Sequence, residues 1–64
     1  MVKINGELFD AQGKTIAQLV SDGGYDKAKV AVELNEMIVP KAEYEKTQVQ
    51  DGDSVEIVGF VGGG

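Results

Sequence analysis

Three consecutive glycines stand at the end of the chain, at Gly62, Gly63 and Gly64. Glycine loses more backbone freedom on ordering than any other residue, so this run adds nothing to a packed core. One interpretation is a frayed terminus, which many domains have. The other is a slender, flexible arm whose reactive group is the Gly64 carboxylate, because an arm without β-carbons passes through a narrow tunnel. The position of the glycines directly after a strongly β-prone segment favours the arm.

The other side chains offer little chemistry of their own. The 64 residues include no cysteine, histidine, tryptophan or arginine. This composition excludes thiol chemistry, zinc fingers and the Ser-His-Asp and Cys-His types of catalysis. The carboxylates are scattered, with no accompanying base or nucleophile, and no glycine-rich loop could cradle a phosphate. We therefore expect no active site and no metal site in this chain.

The charge is acidic and unevenly distributed. Six lysines against eleven acidic residues give a net charge of −5. Residues 1–32 hold four of each sign, whereas residues 33–64 hold seven acidic residues and two lysines. The excess either forms a solvated face that promotes solubility or steers the protein toward a basic partner. Nucleic acid and anionic membranes are excluded as partners, since both repel such a chain.

The apolar runs are only a few residues long, far short of the roughly 20 residues that span a bilayer. The N-terminal residues have no signal-peptide pattern. We therefore expect a cytoplasmic protein.

The first half of the chain predicts a hairpin followed by a helix. Val2–Ile4 alternates in polarity, Asn5-Gly6 is typical of a type I′ turn, and residues 8–10 form the second strand. Thr15 and Gln18 have the spacing of a capping box, and the helix that they begin ends at Gly23-Gly24.

The second half predicts strands and turns. Val30, Val32 and Leu34 alternate with less apolar residues, which indicates a strand with one buried face. A second strand at residues 37–39 ends at Pro40, because proline cannot donate to a strand ladder. A helical turn at 41–46, a turn at 50–53 and a strand at 54–61 follow.

This order of elements predicts an α+β fold in which the last strand lies parallel to the first, at the centre of the sheet. That arrangement is a β-grasp, with a mixed four- to five-stranded sheet on one short helix. Residues 1–64 then form a single domain, and residues 62–64 are its tail. The residues expected to pack together are Ile16, Leu19 and Val20 from the helix and Val2, Ile4, Val30, Val32, Val55 and Ile57 from the sheet.

The final strand assigns its side chains to two faces. Because side chains alternate, Val55 and Ile57 share one face, while Glu56, Val58 and Phe60 share the other. An unpaired buried carboxylate is costly, so Glu56 faces water. Two apolar side chains are then exposed beside the glycine tail.

Val58, Phe60 and Val61 therefore form a predicted docking patch, since contiguous exposed apolar surface marks an interface. The alternative is that Phe60 folds over the sheet edge as satellite core, together with Tyr44. The residues alone leave both interpretations open.

Four stretches of the chain carry a family pattern together: Gly-Lys-Thr-Ile-Ala-Gln-Leu-Val at 13–20, Val-Glu-Leu-Asn-Glu-Met-Ile-Val-Pro at 32–40, Gln-Asp-Gly-Asp at 50–53 and Phe-Val-Gly-Gly-Gly at 60–64. They span nearly the whole chain, and their combination is specific although each is modest. Through these stretches the chain resembles the bacterial sulfur carriers of thiamine thiazole biosynthesis, the ThiS-like proteins of the ubiquitin-like β-grasp superfamily.

The resemblance implies a protein co-substrate rather than an enzyme. In such carriers an E1-like activating enzyme, which uses ATP and magnesium, adenylates the terminal glycine, here Gly64. A persulfide donor then supplies the sulfur of a thiocarboxylate, which thiazole synthase consumes. By the same resemblance, Gly62 and Gly63 thread the active site of the partner. We expect the free carrier to be a monomer that binds no cofactor.

Two alternatives remain at this stage. The chain could carry sulfur for molybdopterin or for another pathway, with the same chemistry and another acceptor. It could instead be a non-covalent β-grasp interaction module with an inert tail. An ATP-dependent change in mass distinguishes the carriers from the inert module.

Overall fold

The computed structural model describes residues 1–59, across which a five-stranded sheet packs against one α-helix. The strands are β1 (Val2–Ile4), β2 (Glu7–Phe9), β3 (Val30–Leu34), β4 (Met37–Ile38) and β5 (Ser54–Gly59). Helix α1 covers Ile16–Asp22, and short 3₁₀ turns cover Lys27–Lys29 and Lys41–Glu43. The order of strands in the sheet is β2-β1-β5-β3-β4.

Strand β5 lies at the centre of this sheet, as the sequence predicts. It pairs in parallel with β1, where Ile4 is opposite Val55, and antiparallel with β3 from Val55 to Gly59. The first and last described strands are therefore neighbours, and the β-grasp prediction is confirmed.

Both hairpin turns have the two positive φ angles that a type I′ turn requires. The angles are 51° and 86° at Asn5 and Gly6, and 52° and 69° at Asn35 and Glu36. Strand β2 begins one residue earlier than predicted, because the two-residue turn brings Glu7 directly opposite Ile4.

Helix α1 begins and ends with side-chain and backbone caps that the sequence predicts. The Thr15 hydroxyl accepts a hydrogen bond from the Gln18 amide, and the Gln18 side chain accepts one from the Thr15 amide. At the other end Gly24 has a φ of 79°, and the Tyr25 amide donates to the Val20 carbonyl, as in a Schellman motif. A helix of seven residues depends on packing for its stability.

The core lies between α1 and the inner face of the sheet. All residues predicted to pack there are buried except Ile4, which is half-buried against the cluster. Four further core residues were not predicted: Ala11, Val39, Tyr44 and Val49. They lie outside the observed helix and strands, where hydrophobic periodicity has no period to follow. Val39 follows β4 directly, because that strand ends at Ile38, one residue earlier than predicted.

Tyr44 is the largest fully buried side chain among the described residues, with 1% of its surface exposed. Burial raises the pKa of its hydroxyl, and a hydrogen bond with the Val32 backbone offsets part of that rise. Tyr44 thus belongs to the core in its own right. Within residues 1–59, no helix is long and apolar enough to cross a membrane.

Candidate functional site at the end of the central strand

The alternation predicted for the last strand is present in β5. Val55 and Ile57 are buried in the core, whereas Glu56 and Val58 are exposed on the opposite face. Val58 keeps 54% of its surface accessible, which confirms the exposure predicted for it. Phe60 and Val61, the other members of the predicted docking patch, lie outside the described residues, as do Gly62, Gly63 and Gly64.

The face of the sheet opposite α1, here called the outer face, combines apolar side chains with carboxylates. Glu56 of β5 lies directly opposite Glu33 of β3, and Val58 lies opposite Ala31. Like charges directly opposite each other destabilise a sheet. The Glu33–Glu56 pair therefore does not contribute to the stability of the fold. The side chains of the outer face are Lys3, Leu8, Ala31, Glu33, Ile38, Ser54, Glu56 and Val58.

A shallow depression of about 260 Å³ lies on this outer face. It is lined by Glu33, Glu36, Ser54 and Glu56. Its acidic lining concentrates part of the charge that the second half of the chain carries. In the part of the chain that the structure describes, no group of His, Cys, Asp or Glu side chains is arranged to hold a metal ion.

The second half of β5 has different partners on its two sides. On one side it pairs with β3, where Val58 is opposite Ala31 and Gly59 is opposite Val30. On the other side the parallel ladder with β1 ends at Asn5, whose amide donates to the Val55 carbonyl over 2.9 Å.

The side chain of Asn5 extends this ladder by one more hydrogen bond. Its Oδ1 accepts from the Ile57 amide over 2.8 Å, and its Nδ2 donates to the Tyr25 hydroxyl over 3.2 Å. Sequence reasoning assigned Asn5 only to the turn. Its second role has no local signal, because Ile57 is 52 residues away along the chain.

Lys41 supports the β3 side of the same region. Its ammonium group donates to the Val30 carbonyl over 2.6 Å and lies 5.6 Å from the centre of the Tyr44 ring. Val30 of β3 is the partner of Gly59, the last described residue of β5. The Lys41 contact therefore supports β3 at the point where it pairs with the end of β5.

An open groove of about 290 Å³ lies between the β1–β2 hairpin and the end of α1. Its apolar lining comes mainly from Ile4, Phe9, Leu19 and Ile57, and Tyr25 lies at its side. The groove adjoins the Asn5–Tyr25 hydrogen bond and was not predicted from the sequence.

Comparison with known proteins relates both sequence and fold to one family. Residues 2–64 match the ThiS family. The chain is 38% identical over 64 residues to the sulfur carrier protein ThiS of Thermus thermophilus, and this alignment covers all of both chains. A crystal structure of a thiamine biosynthesis protein (ThiS) from Geobacter metallireducens superposes with a TM-score of 0.76 and 33% identity, over 98% of this chain and 97% of that one.

A second group of relatives is much longer. The chain is 48% identical over 62 residues to a thiazole synthase of Paramagnetospirillum magneticum. It spans 19% of the length of that protein and 20% of a thiazole synthase from Magnetococcus marinus. With a match that runs from residue 2 to residue 64, and a whole-length relative at 38% identity, the chain belongs to the ThiS family.

Proposed function

We propose that this chain is a sulfur carrier for thiazole formation in thiamine biosynthesis and that the sulfur is carried on the carboxyl group of Gly64. The observation that carries the proposal is the family match, which includes the three glycines and ends at residue 64. The position of β5 agrees with it, because the central strand runs to Gly59, five residues before Gly64.

The chemistry follows from what the side chains lack. A chain without cysteine holds no transferable sulfur on a side chain, and a carboxylate is a poor electrophile. Attack of the Gly64 carboxylate on the α-phosphorus of ATP releases pyrophosphate and forms an acyl-adenylate. The terminal sulfur of a persulfide then attacks the carbonyl carbon and displaces AMP. Cleavage of the sulfur–sulfur bond by a thiol of the donor leaves the thiocarboxylate, and the donor is oxidised to a disulfide.

In this scheme the partner enzyme supplies ATP, magnesium and all catalytic groups. The carrier contributes a substrate arm and a surface for docking. Gly62 and Gly63 keep the arm thin enough to enter the active site of the activating enzyme. Val58, with Phe60 and Val61, provides the apolar part of the docking patch, to which the acidic outer face adds attraction for a basic partner.

We infer that thiazole synthase is the acceptor of the sulfur. In two relatives a segment similar to this chain is part of a longer protein named thiazole synthase. Covalent joining raises the effective concentration of two modules that act on each other. Association of this chain with a thiazole synthase is the simplest counterpart here.

Intact-mass spectrometry tests the proposal. The chain is incubated with the activating enzyme, ATP and a persulfide donor, and the expected result is the mass gain of one oxygen replaced by sulfur. Omission of any one component abolishes the gain, and so does deletion of Gly64 or addition of one residue after it. A gain by the Gly64 deletion contradicts the proposal, and no gain by the full chain favours the inert interaction module.

The substitution Gly63→Val gives a graded version of this test. A β-branched side chain widens the arm and excludes the positive φ angles that glycine adopts freely. The variant should fold as the unchanged chain does and form less thiocarboxylate. Subsequent incubation with thiazole synthase, compared with a molybdopterin-forming system, identifies the acceptor.

A further inference from the structure

We propose that Asn5 is a positioning residue for the C-terminal arm: its side chain fixes β5 at Ile57, and thereby the last part of the strand from which the chain continues to Gly64. This inference rests on the proposed function, since it concerns how the arm reaches the activating enzyme. It is carried by the hydrogen bond from the Ile57 amide to Asn5 Oδ1.

The geometry explains why a side chain is needed at this point. The chain turns at Asn5, where φ is 51°, so β1 ends while β5 continues to Gly59. A longer β1 would offer a further backbone carbonyl to the Ile57 amide, and Asn5 Oδ1 takes its place. Val58 and Gly59 pair with β3 alone, and without that oxygen Ile57 would also be held from the β3 side only.

The amide of Asn5 is itself oriented by a second contact. Its Nδ2 donates to the Tyr25 hydroxyl, which assigns Oδ1 to the side of Ile57. The Tyr25 ring lies directly against Gly23, where an added Cβ would stand 2.7 Å from the ring. The end of α1 therefore packs against the Tyr25 ring, and the Tyr25 hydroxyl orients the Asn5 amide. Asn5 Oδ1 in turn accepts the hydrogen bond from Ile57 of β5.

The chain contains its own control at the opposite end of β5. Asn35 also begins a type I′ turn, with a φ of 52°, and its Oδ1 accepts from the Ser54 amide over 2.9 Å. Its Nδ2 donates to Asp53 over 3.0 Å. Asn5 and Asn35 thus make the same kind of contact with the same strand, but only Asn5 acts at the end that continues into the arm.

The experiment compares Asn5→Gly with Asn35→Gly. Glycine keeps the positive φ at either turn without strain and removes only the side chain. We expect similar losses of thermal stability from both. In thiocarboxylate formation by the activating enzyme, Asn5→Gly should lower kcat roughly ten- to a hundredfold with little change in KM, because the arm is misdirected while docking persists. Asn35→Gly should retain the kcat of the unchanged chain.

Asn5→Asp retains an acceptor for the Ile57 amide and should rescue most of the rate. Equal kcat values for the two glycine variants would overturn the proposal, as would a failure of Asp to rescue. If Asn5→Gly does not fold, Tyr25→Phe serves instead. It removes the hydroxyl that orients Asn5, and we expect a smaller drop in kcat, whereas an unchanged kcat would contradict the assignment.

A measurement without any enzyme separates this inference from the proposed function. In Asn5→Gly, amide hydrogen exchange at Ile57 should accelerate by roughly tenfold relative to Asn35→Gly, and NMR order parameters at Val58 and Gly59 should fall. Unchanged exchange at Ile57 would overturn the positioning role. If the unchanged chain forms no thiocarboxylate, the function fails while this measurement still decides how β5 is held.

Discussion

Neighbouring residues of the same two strands serve opposite faces of the sheet. Val32 and Val55 are buried against α1, whereas Glu33, Glu56 and Val58 lie on the outer face. The inner face is apolar and closely packed, and the outer face includes a repulsive pair of carboxylates that a sheet selected for stability alone would avoid. The difference shows that the inner face supplies core residues, while the outer face leaves Glu56 and Val58 accessible to solvent.

The strongest test of this division makes the same substitution in the core, at a residue of α1 that packs there, and on the outer face of the sheet. Leu19 is buried to within 5% of its surface, whereas Leu8 on β2 is 64% exposed. Leu19→Ala should cost roughly 2–5 kcal/mol of unfolding free energy, a large share of the stability of so small a domain. Leu8→Ala should cost less than about 0.5 kcal/mol. Denaturant melts of both variants measure the contrast, and equal losses would abolish the distinction between the faces.

The next test concerns binding rather than stability. Val58→Ser removes the described apolar residue nearest the arm, and Ile38→Ser removes one at the far edge of the same face, where 71% of its surface is exposed. We expect Val58→Ser to raise the KM for the activating enzyme roughly five- to tenfold, which corresponds to about 1 kcal/mol. The melting temperature should hardly change, and Ile38→Ser should leave KM near its original value. Severe unfolding of Val58→Ser would place Val58 in the core.

Phe60→Ser extends that test to the aromatic member of the docking patch. The predicted result is weaker binding with little loss of stability, because Phe60 shares the parity of Val58. Isothermal titration against the activating enzyme and a thermal melt separate the two contributions. A large drop in melting temperature would instead support the alternative in which Phe60 packs with Tyr44.

The burial of Tyr44 in the core can be tested through the pH dependence of the unfolding free energy. Its folded-state pKa is raised, so the native state retains the hydroxyl proton where the unfolded chain, with a pKa near 10, has lost it. The resulting stability is fully present below about pH 10 and is lost as pH rises through the folded-state pKa. Tyr44→Phe lacks this dependence and also loses roughly 0.5–1.5 kcal/mol of hydrogen bonding at neutral pH.

Urea melts of Tyr44→Phe and the unchanged chain at a series of pH values measure this difference. Lysine titration affects both proteins and cancels in the comparison. We expect the advantage of the unchanged chain to shrink above pH 10. An advantage that stays constant with pH would show that burial does not perturb the Tyr44 hydroxyl.

The smallest expected effect is a gain in stability. Glu56→Gln removes one member of the pair that faces Glu33, and the relief of repulsion should stabilise the fold by roughly 0.2–1 kcal/mol at low salt. The gain should diminish at high ionic strength, where charges are screened. Glu45→Gln, at an exposed position outside the sheet, is the matched control and should have no such effect. Loss of stability in Glu56→Gln would mean that its carboxylate has a structural partner.

Helix caps, turns and strand alternation were predictable from the sequence, because they depend on interactions between residues that are close along the chain. The capping box at Thr15, the Asn5-Gly6 turn and the alternation of β5 each depend on residues within four positions of one another. The burial of Tyr44 and Val49 was not predictable in this way, because they lie in irregular segments and reach the core only after the sheet and α1 have formed.

The features of the candidate site also differ in whether they depend on nearby residues or on residues far apart in the chain. The exposure of Val58 followed from the alternation of side chains along β5. The role proposed for Gly64 rests on its residue type, its neighbours and the family to which the chain belongs, and it stays a prediction. The contact between Asn5 and Ile57 required coordinates, because nothing in an Asn-Gly dipeptide indicates which distant strand its side chain will meet.

By itself the sequence determined the order of the elements, the face to which each alternating side chain belongs and the absence of cysteine and histidine from the chain. These properties depend on backbone period and residue type, which act over a few residues. Only the tertiary structure decided that Glu33 stands opposite Glu56 and that Asn5 holds the end of β5. Both depend on register between strands far apart in the chain, and register is settled only when the whole sheet buries its inner face at once.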